Sequence, residues 1–232
     1  MERTMRTPLA KRVLPSYTRG EEIFNMVTHI VGGAFGIAYL VLCVVFAALY
    51  GDAYGVVSAA VYGASCVLLF TMSSLYHGLS PEKAVTGKKV MQVLDHCTIF
   101  FLIAGTYTPI SLCVLRRENT ALGWVVFGLV WATAILGITL NAIDLKKYKR
   151  FSMIAYIALG WCALFTLPAL IRGIGLAGFL FLLAGGILYT VGAVFYIADK
   201  KKPRPYLHGI FHIFVVLGSI LHFFCILFYV IL

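Results

Sequence analysis

His208 and His212 stand four residues apart, so on a helix both imidazoles project from one face, the spacing at which two side chains hold one metal ion. A third imidazole, His77, and a carboxylate, Asp95, lie elsewhere in stretches that are otherwise apolar. Ionisable groups in such stretches are costly to bury unless they are paired or bound, which makes them the first residues to question. Three neutral imidazoles with an open fourth position form the donor set that catalytic zinc uses. Zinc is therefore the cofactor predicted at His77, His208 and His212. No thiolate joins the set, and a lone carboxylate argues against calcium and magnesium, while other transition metals stay open. Zinc in such a site lowers the pKa of coordinated water to about 7, and a neighbouring carboxylate can orient that water and accept its proton. Asp95 is the candidate for that role. Ser73 lies four residues before His77 and on its face of the helix, as a donor to a substrate carbonyl or a partner behind the ligands; a hydroxyl bonded back to the Leu69 carbonyl is the alternative.

These side chains can act together only if the elements carrying them place them at one depth. The chain has 232 residues, 61% hydrophobic and 12% charged, against roughly 45 to 50% apolar and 25% charged in an average soluble domain. A soluble globule is excluded, because the surplus apolar surface must face lipid. Seven stretches are long and apolar enough to span a bilayer, at 26–50, 54–77, 90–115, 121–143, 151–171, 175–198 and 207–232. The predicted fold is all-α, a polytopic bundle of seven transmembrane helices over 26–232 behind an N-terminal segment 1–25, with no room for a soluble domain. The first 22 residues, with Arg3, Arg6, Lys11, Arg12 and Arg19, are too polar for a secretory signal.

The net charge of +10 is a topology signal and does not call for a nucleic-acid partner. Of the 19 Lys and Arg residues, all but Arg116, Arg117 and Arg172 fall in the N-terminal segment and in the second, fourth and sixth loops. The positive-inside rule then puts the N-terminus in the cytoplasm and the C-terminus outside, in a multi-pass protein of the cell membrane. In that frame His77 closes the second span, Asp95 lies five residues into the third, and His208 and His212 lie one and five residues into the seventh. At about 1.5 Å per residue, all four come within roughly 8 Å of the cytoplasmic boundary. His222 is roughly 22 Å deep and cannot share that site; it reads as a neutral histidine bonded between helices. His96 points about 100° away from Asp95 around the helix and is left out. Asn25 and His29, with Glu21 and Glu22 a turn earlier, either form an outer polar shell or simply pack.

Local punctuation agrees with the spans. Thr18-Arg19-Gly20-Glu21 has the form of a capping box, and Ser80-Pro81-Glu82 signals a short surface helix ending near Gly87. Pro109 and Pro168 should kink or interrupt the third and fifth spans. Gly32 with Gly36, and Gly185, Gly186 and Gly192, offer small-residue surfaces for close helix approach. The six cysteines fall inside spans with no CxxC pair, and read as small buried apolar residues.

At the polar residues a resemblance emerges. Glu22-x-x-Asn25-x-x-Thr28-His29, Ser73-Ser74-Leu75-Tyr76-His77, Leu94-Asp95-His96, Ala104-Gly105-Thr106-Tyr107-Thr108-Pro109, Ala158-Leu159-Gly160-Trp161, Gly185-Gly186-x-x-Tyr189 and His208-Gly209-Ile210-Phe211-His212 run from the first span to the seventh. Together they resemble the hemolysin III family, the bacterial branch of the progestin and adipoQ receptor group, which is related to alkaline ceramidases. The resemblance implies a seven-helix bundle with zinc on the cytoplasmic side at His77, His208 and His212, with Asp95 near its water. It further implies hydrolysis of an amide or ester bond in a lipid. The long soluble N-terminal region of the eukaryotic receptors is absent.

The leading expectation is thus a zinc-dependent hydrolase whose partner is a membrane lipid substrate. A non-enzymatic sensor or homeostasis protein with structural zinc is the alternative, distinguished by a closed tetrahedral shell. A cytolytic pore or a transporter should show ionisable residues or broken helices near the midplane, where His222 is nearly alone. A retinal photoreceptor needs a lysine in the last span, and residues 207–232 contain none.

Overall fold

The first helix starts where its cap is written: the Thr18 hydroxyl accepts the Glu21 N–H at 3.3 Å and the Glu21 carboxylate accepts the Thr18 N–H at 2.9 Å, the reciprocal pair of a capping box. Asp52 and Asn119 cap two further helices by a single bond each, their side-chain oxygens accepting the N–H groups of Gly55 and Leu122. The structure, a computed structural model, describes residues 6–201 and 204–232, and its regular elements are helices. Arg3 and Lys202, two of the basic residues counted above, lie outside the described residues.

Among the described residues six helices are long and apolar enough to cross a membrane: α1 (Arg19–Tyr50), α2 (Ala53–Gly78), α3 (Val85–Glu118), α4 (Thr120–Asp144), α5 (Lys149–Lys201) and α6 (Leu207–Ile231). The chain is a membrane-spanning, multi-pass protein. The count is six and not seven because the chain stays helical through the fifth and sixth expected spans, giving α5 a length of 53 residues. A straight helix of that length would measure about 80 Å against a hydrocarbon core of about 30 Å. It is not straight. Gly175 has φ 67° and ψ 171°, a conformation essentially reserved for glycine, and divides α5 into 149–174 and 176–201. Residues Cys162–Thr166 tighten to a 3-10 segment just ahead of Pro168, and α3 loosens to a π-helical segment, Ile110–Leu115, immediately after Pro109. No short helix forms at Ser80. The Ser80 hydroxyl instead accepts the N–H groups of Glu82 and Lys83 in a turn, and Gly87 belongs to α3.

Packing follows the small residues. A side chain at Gly32 would meet the Phe70 ring, and one at Gly36 the backbone of Cys66 and Val67, so α1 and α2 lie close together. Gly185 in α5 leaves room for the His222 ring of α6. Gly186 has open space before it. The helix α3 is the most enclosed, whereas α1 and α4 keep most of their apolar side chains exposed, Val125, Leu129 and Ile135 among them, and α5 buries few of its own. Lipid covers such a surface in a chain of this composition. Five cysteines are buried, Cys162 is half-buried, and all six are free thiols. The ends of α1, α2, α3 and α6 that meet at Glu22, His77, Lys88 and His208 form one pole of the bundle, the pole carrying the basic loops.

Candidate metal centre

The last turn of α2 supplies His77, and the first turns of α6 supply His208 and His212 on one face. One ring nitrogen of each lies within 4.8 Å of the others, and all three residues are buried. His208 Nε2 and His212 Nε2 are 3.2 Å apart. Two nitrogens bound at about 2.0 Å with a tetrahedral angle between them are separated by about 3.3 Å, so this pair already has the spacing a zinc ion asks for.

The far sides of two rings are held. His212 Nδ1–H donates to the Asn25 carbonyl at 3.1 Å, and His77 Nδ1–H donates to Glu22 Oε2 at 2.6 Å. Fixing the proton on Nδ1 leaves Nε2 with a free lone pair, the tautomer a ligand requires. His77 Nε2 is buried and without a partner. An orphaned buried nitrogen is expensive, and a cation bound there removes the cost. Three imidazoles, two of them oriented by oxygen acceptors, suit zinc by donor chemistry.

Lys88 and Glu22 build the support behind His77. Lys88 is fully buried; its Nζ donates to Glu22 Oε1 at 2.8 Å and to the carbonyls of Tyr76 and Leu79, both at 2.9 Å. One ammonium thus neutralises the Glu22 carboxylate and closes the C-terminal end of α2, where carbonyls lack helical partners. Counting Lys88 among the loop cations missed this, because charge patterning does not reveal which lysine turns inward.

Asp95, Ser73, His208 and His212 line one cavity of about 800 Å³. Asp95 stands outside the set that gathers within 4.8 Å, and its Oδ2 is 3.5 Å from His96 Nδ1. Ser73 Oγ is buried and makes no hydrogen bond, so the back-bond to Leu69 does not form; Ser74 makes that kind of bond instead, to the Phe70 carbonyl at 2.7 Å. His29 stacks on His212 with ring centroids 3.7 Å apart, and neither of its ring nitrogens has a partner. His96 Nδ1–H donates to the Gln92 carbonyl, and His222 Nε2–H donates across helices to Leu182 O at 3.0 Å. Tyr17, just ahead of α1, stacks on His208 at 5.2 Å. Burial, with Asp199 adding to it, holds its phenol well above the ordinary tyrosine range, so Tyr17 stays neutral against the histidines. Its place over the centre had no signal in the sequence pattern.

The family profile described as Haemolysin-III related matches residues 17–223. The chain belongs to the Haemolysin-III-related family. Relatives within reach of this family include Hemolysin-3 of Bacillus cereus, 40% identical over 90% of this chain and 92% of its own. The Hemolysin-3 homolog of Bacillus subtilis is 39% identical over 92% of this chain and 96% of its own. More distant is the human monocyte to macrophage differentiation factor, 27% identical over 77% of this chain and 72% of its own. No solved structure matches. The Haemolysin-III match spans the whole constellation, from Tyr17 and Glu22 to His222.

Proposed function

We propose that this protein is a zinc-dependent hydrolase of amide or ester bonds in a membrane lipid, embedded in the cell membrane as a seven-span bundle with its N-terminus in the cytoplasm. The break at Gly175 supports the seventh span and the distribution of basic loops supports the orientation. His77, His208 and His212 would hold the ion. Zinc bound there supplies a Lewis acid and lowers the pKa of coordinated water to about 7. The chain's own groups do the rest. Glu22 and the Asn25 carbonyl keep two of the imidazoles in the ligating tautomer. Ser73 Oγ–H, unpaired in the cavity wall, donates to the substrate carbonyl oxygen. The Asp95 carboxylate, in the wall of the same cavity, would accept the proton released by the attacking water and return it to the leaving oxygen or nitrogen. A cavity opening among membrane helices suits a substrate that stays in the bilayer.

The observation that carries this reading is the gathering of three buried ring nitrogens within 4.8 Å beside a cavity that Ser73 and Asp95 also line. The test is metal analysis of the purified protein beside His77→Ala, His208→Ala and His212→Ala, coupled to a lipid-hydrolysis screen with Asp95→Ala. The His variants lose zinc; Asp95→Ala keeps most of it and loses hydrolysis. Stoichiometric zinc in all three His variants overturns the ligand set. A zinc-loaded wild type that is inert across a broad lipid panel overturns the hydrolase and leaves zinc as a tie between helices.

A further inference from the structure

The cavity beside the histidines is graded along its length. Deep in the bundle its walls are mainly apolar, with Leu69, Ile99, Leu102 and Val215, and carry a few polar groups, Thr106, Thr190 and His222 among them. Its middle holds Ser73, Asp95, His208 and His212. Its mouth is lined by six cations: Lys11, Arg12, Lys146, Lys149, Lys200 and Arg204. Three carboxylates face the same space, Glu21, Asp95 and Asp199. Two of these are engaged: Glu21 accepts the N–H groups of Thr18 and Tyr206, and Asp199 lies 3.8 Å from the Lys200 ammonium. The balance at the mouth is positive.

Part of this charge is fixed in place. Arg12 is 8% exposed, and its guanidinium donates to the carbonyls of Ile143 at 3.0 Å and Thr7 at 3.4 Å. The N-terminal segment that carries it, with a 3-10 turn at Leu9–Lys11, is pinned across the mouth, by Thr7 N–H on Asp144 Oδ2 at 2.7 Å and by Lys89 Nζ on the Ala10 carbonyl at 2.7 Å. Lys200 Nζ is 3.3 Å from the Tyr17 hydroxyl, which sets this cation beside the ring that covers His208. Cations thus approach from the N-terminal segment, from the turn before α5 and from the end of α5, and converge on one opening. Basic pockets between membrane helices take anionic lipid headgroups.

We propose that the mouth is a headgroup site for an anionic, phosphate-type lipid, whose acyl part lies along the apolar depth and whose carbonyl region comes level with Ser73 and the histidines. A volume of about 800 Å³ lies within the range of small-molecule sites, room for a headgroup, the carbonyl region and part of an acyl chain, with the rest of the lipid left in the bilayer. The inference rests on the hydrolase reading only in calling that lipid a substrate; the headgroup site itself stands on the cavity. It separates the six lining cations from others on the same pole, since Lys83, Arg150 and Lys201 are as exposed as Lys146, Lys149 and Arg204 but do not line the cavity.

That separation gives the experiment. Full-length protein in detergent is titrated with phosphatidylglycerol, with phosphatidylcholine of the same chains, and with inorganic phosphate, and bound species are counted by native mass spectrometry. The wild type is compared with Lys146→Gln/Lys149→Gln/Arg204→Gln and with Lys83→Gln/Arg150→Gln/Lys201→Gln, which remove the same charge from positions outside the cavity. Each cation near an anionic headgroup strengthens binding about fivefold, so the first triple variant should bind phosphatidylglycerol roughly a hundredfold more weakly and the second less than about threefold. Equal losses in both variants would show only a basic surface and overturn the proposal. So would saturation by inorganic phosphate with no preference for phosphatidylglycerol over phosphatidylcholine. Because the readout is binding, it succeeds or fails whether or not turnover is found; hydrolysis of neutral lipids without this binding would remove the headgroup class and leave the hydrolase standing.

Discussion

Lys88→Met tests whether the buried ammonium organises the centre. Methionine keeps most of the apolar stem and removes the charge. Four interactions go with it: the ion pair to Glu22 at 2.8 Å, the two carbonyl bonds at 2.9 Å and the contact of the ammonium with the Tyr76 ring at 4.9 Å. Removing one partner of a buried pair generally costs about 3 to 5 kcal/mol, because the other charge is left uncompensated. The Glu22 side chain keeps 13% exposure and its bond to His77, so water relieves part of the loss and the expected cost is about 3 kcal/mol, at the low end of that range. A second effect falls on the histidine. Without the ammonium, Glu22 is free to turn toward water, and loss of such an orienting partner typically weakens metal binding by about 10 to 100-fold. Denaturant-titrated unfolding in detergent measures the first effect and chelator competition for zinc measures the second. Glu22→Gln removes the charge that Lys88 neutralises, so the double variant should be less destabilised than the sum of the two single ones. A Lys88→Met protein within about 0.5 kcal/mol of wild type, the range of an ordinary surface change, with unaltered zinc affinity, would refute the arrangement.

Two further outcomes concern the fold. Gly175→Ala forces a side chain into φ 67°, ψ 171°, and should cost about 1 to 3 kcal/mol in unfolding although open space surrounds the position; a neutral result would mean that α5 does not turn there. Asp52→Ala should cost about 1 kcal/mol at neutral pH by uncapping α2. The Gly55 N–H, followed by Arg117, holds the Asp52 carboxyl below the usual carboxylate range, so its contribution is present above the unfolded-state value and is lost as pH falls through the lowered one. The gap between wild type and variant should therefore narrow in acid, and a gap that widens on acidification would contradict the cap.

The helices were legible because lipid imposes a length and a composition on every span, and caps and prolines then locate the ends. Thr18, Pro109 and the run of residues before Pro168 all act where the pattern put them. The imidazole cluster was legible for a related reason: hydrophobic spans make each titratable residue conspicuous, and spacing with depth brings His77, His208 and His212 to one level. The short helix at Ser80 was not, since the side chain that could start it also closes a turn, and only tertiary position chooses between them.

Lys88 and Tyr17 mark where this kind of reading stops, and the reason is physical. Lysines at the basic pole are alike in sequence: Lys83, Lys88 and Lys89 differ only in the direction their helix or turn gives them. One is exposed, one bonds the N-terminal segment, and one is fully enclosed between a carboxylate and two carbonyls. The positive-inside bias depends on their number and is blind to that direction. A buried ammonium can persist only where fixed acceptors replace water on every side, so its presence here implies that Glu22, the end of α2 and the start of α3 are locked together before any ligand arrives. His77 is attached to that lock through Glu22, whereas His208 and His212 ride on α6 with Asn25 of α1 behind them. The three imidazoles therefore sit between that corner and the face of α6 that carries His208 and His212, while α5 and the N-terminal segment contribute other parts of the cavity wall.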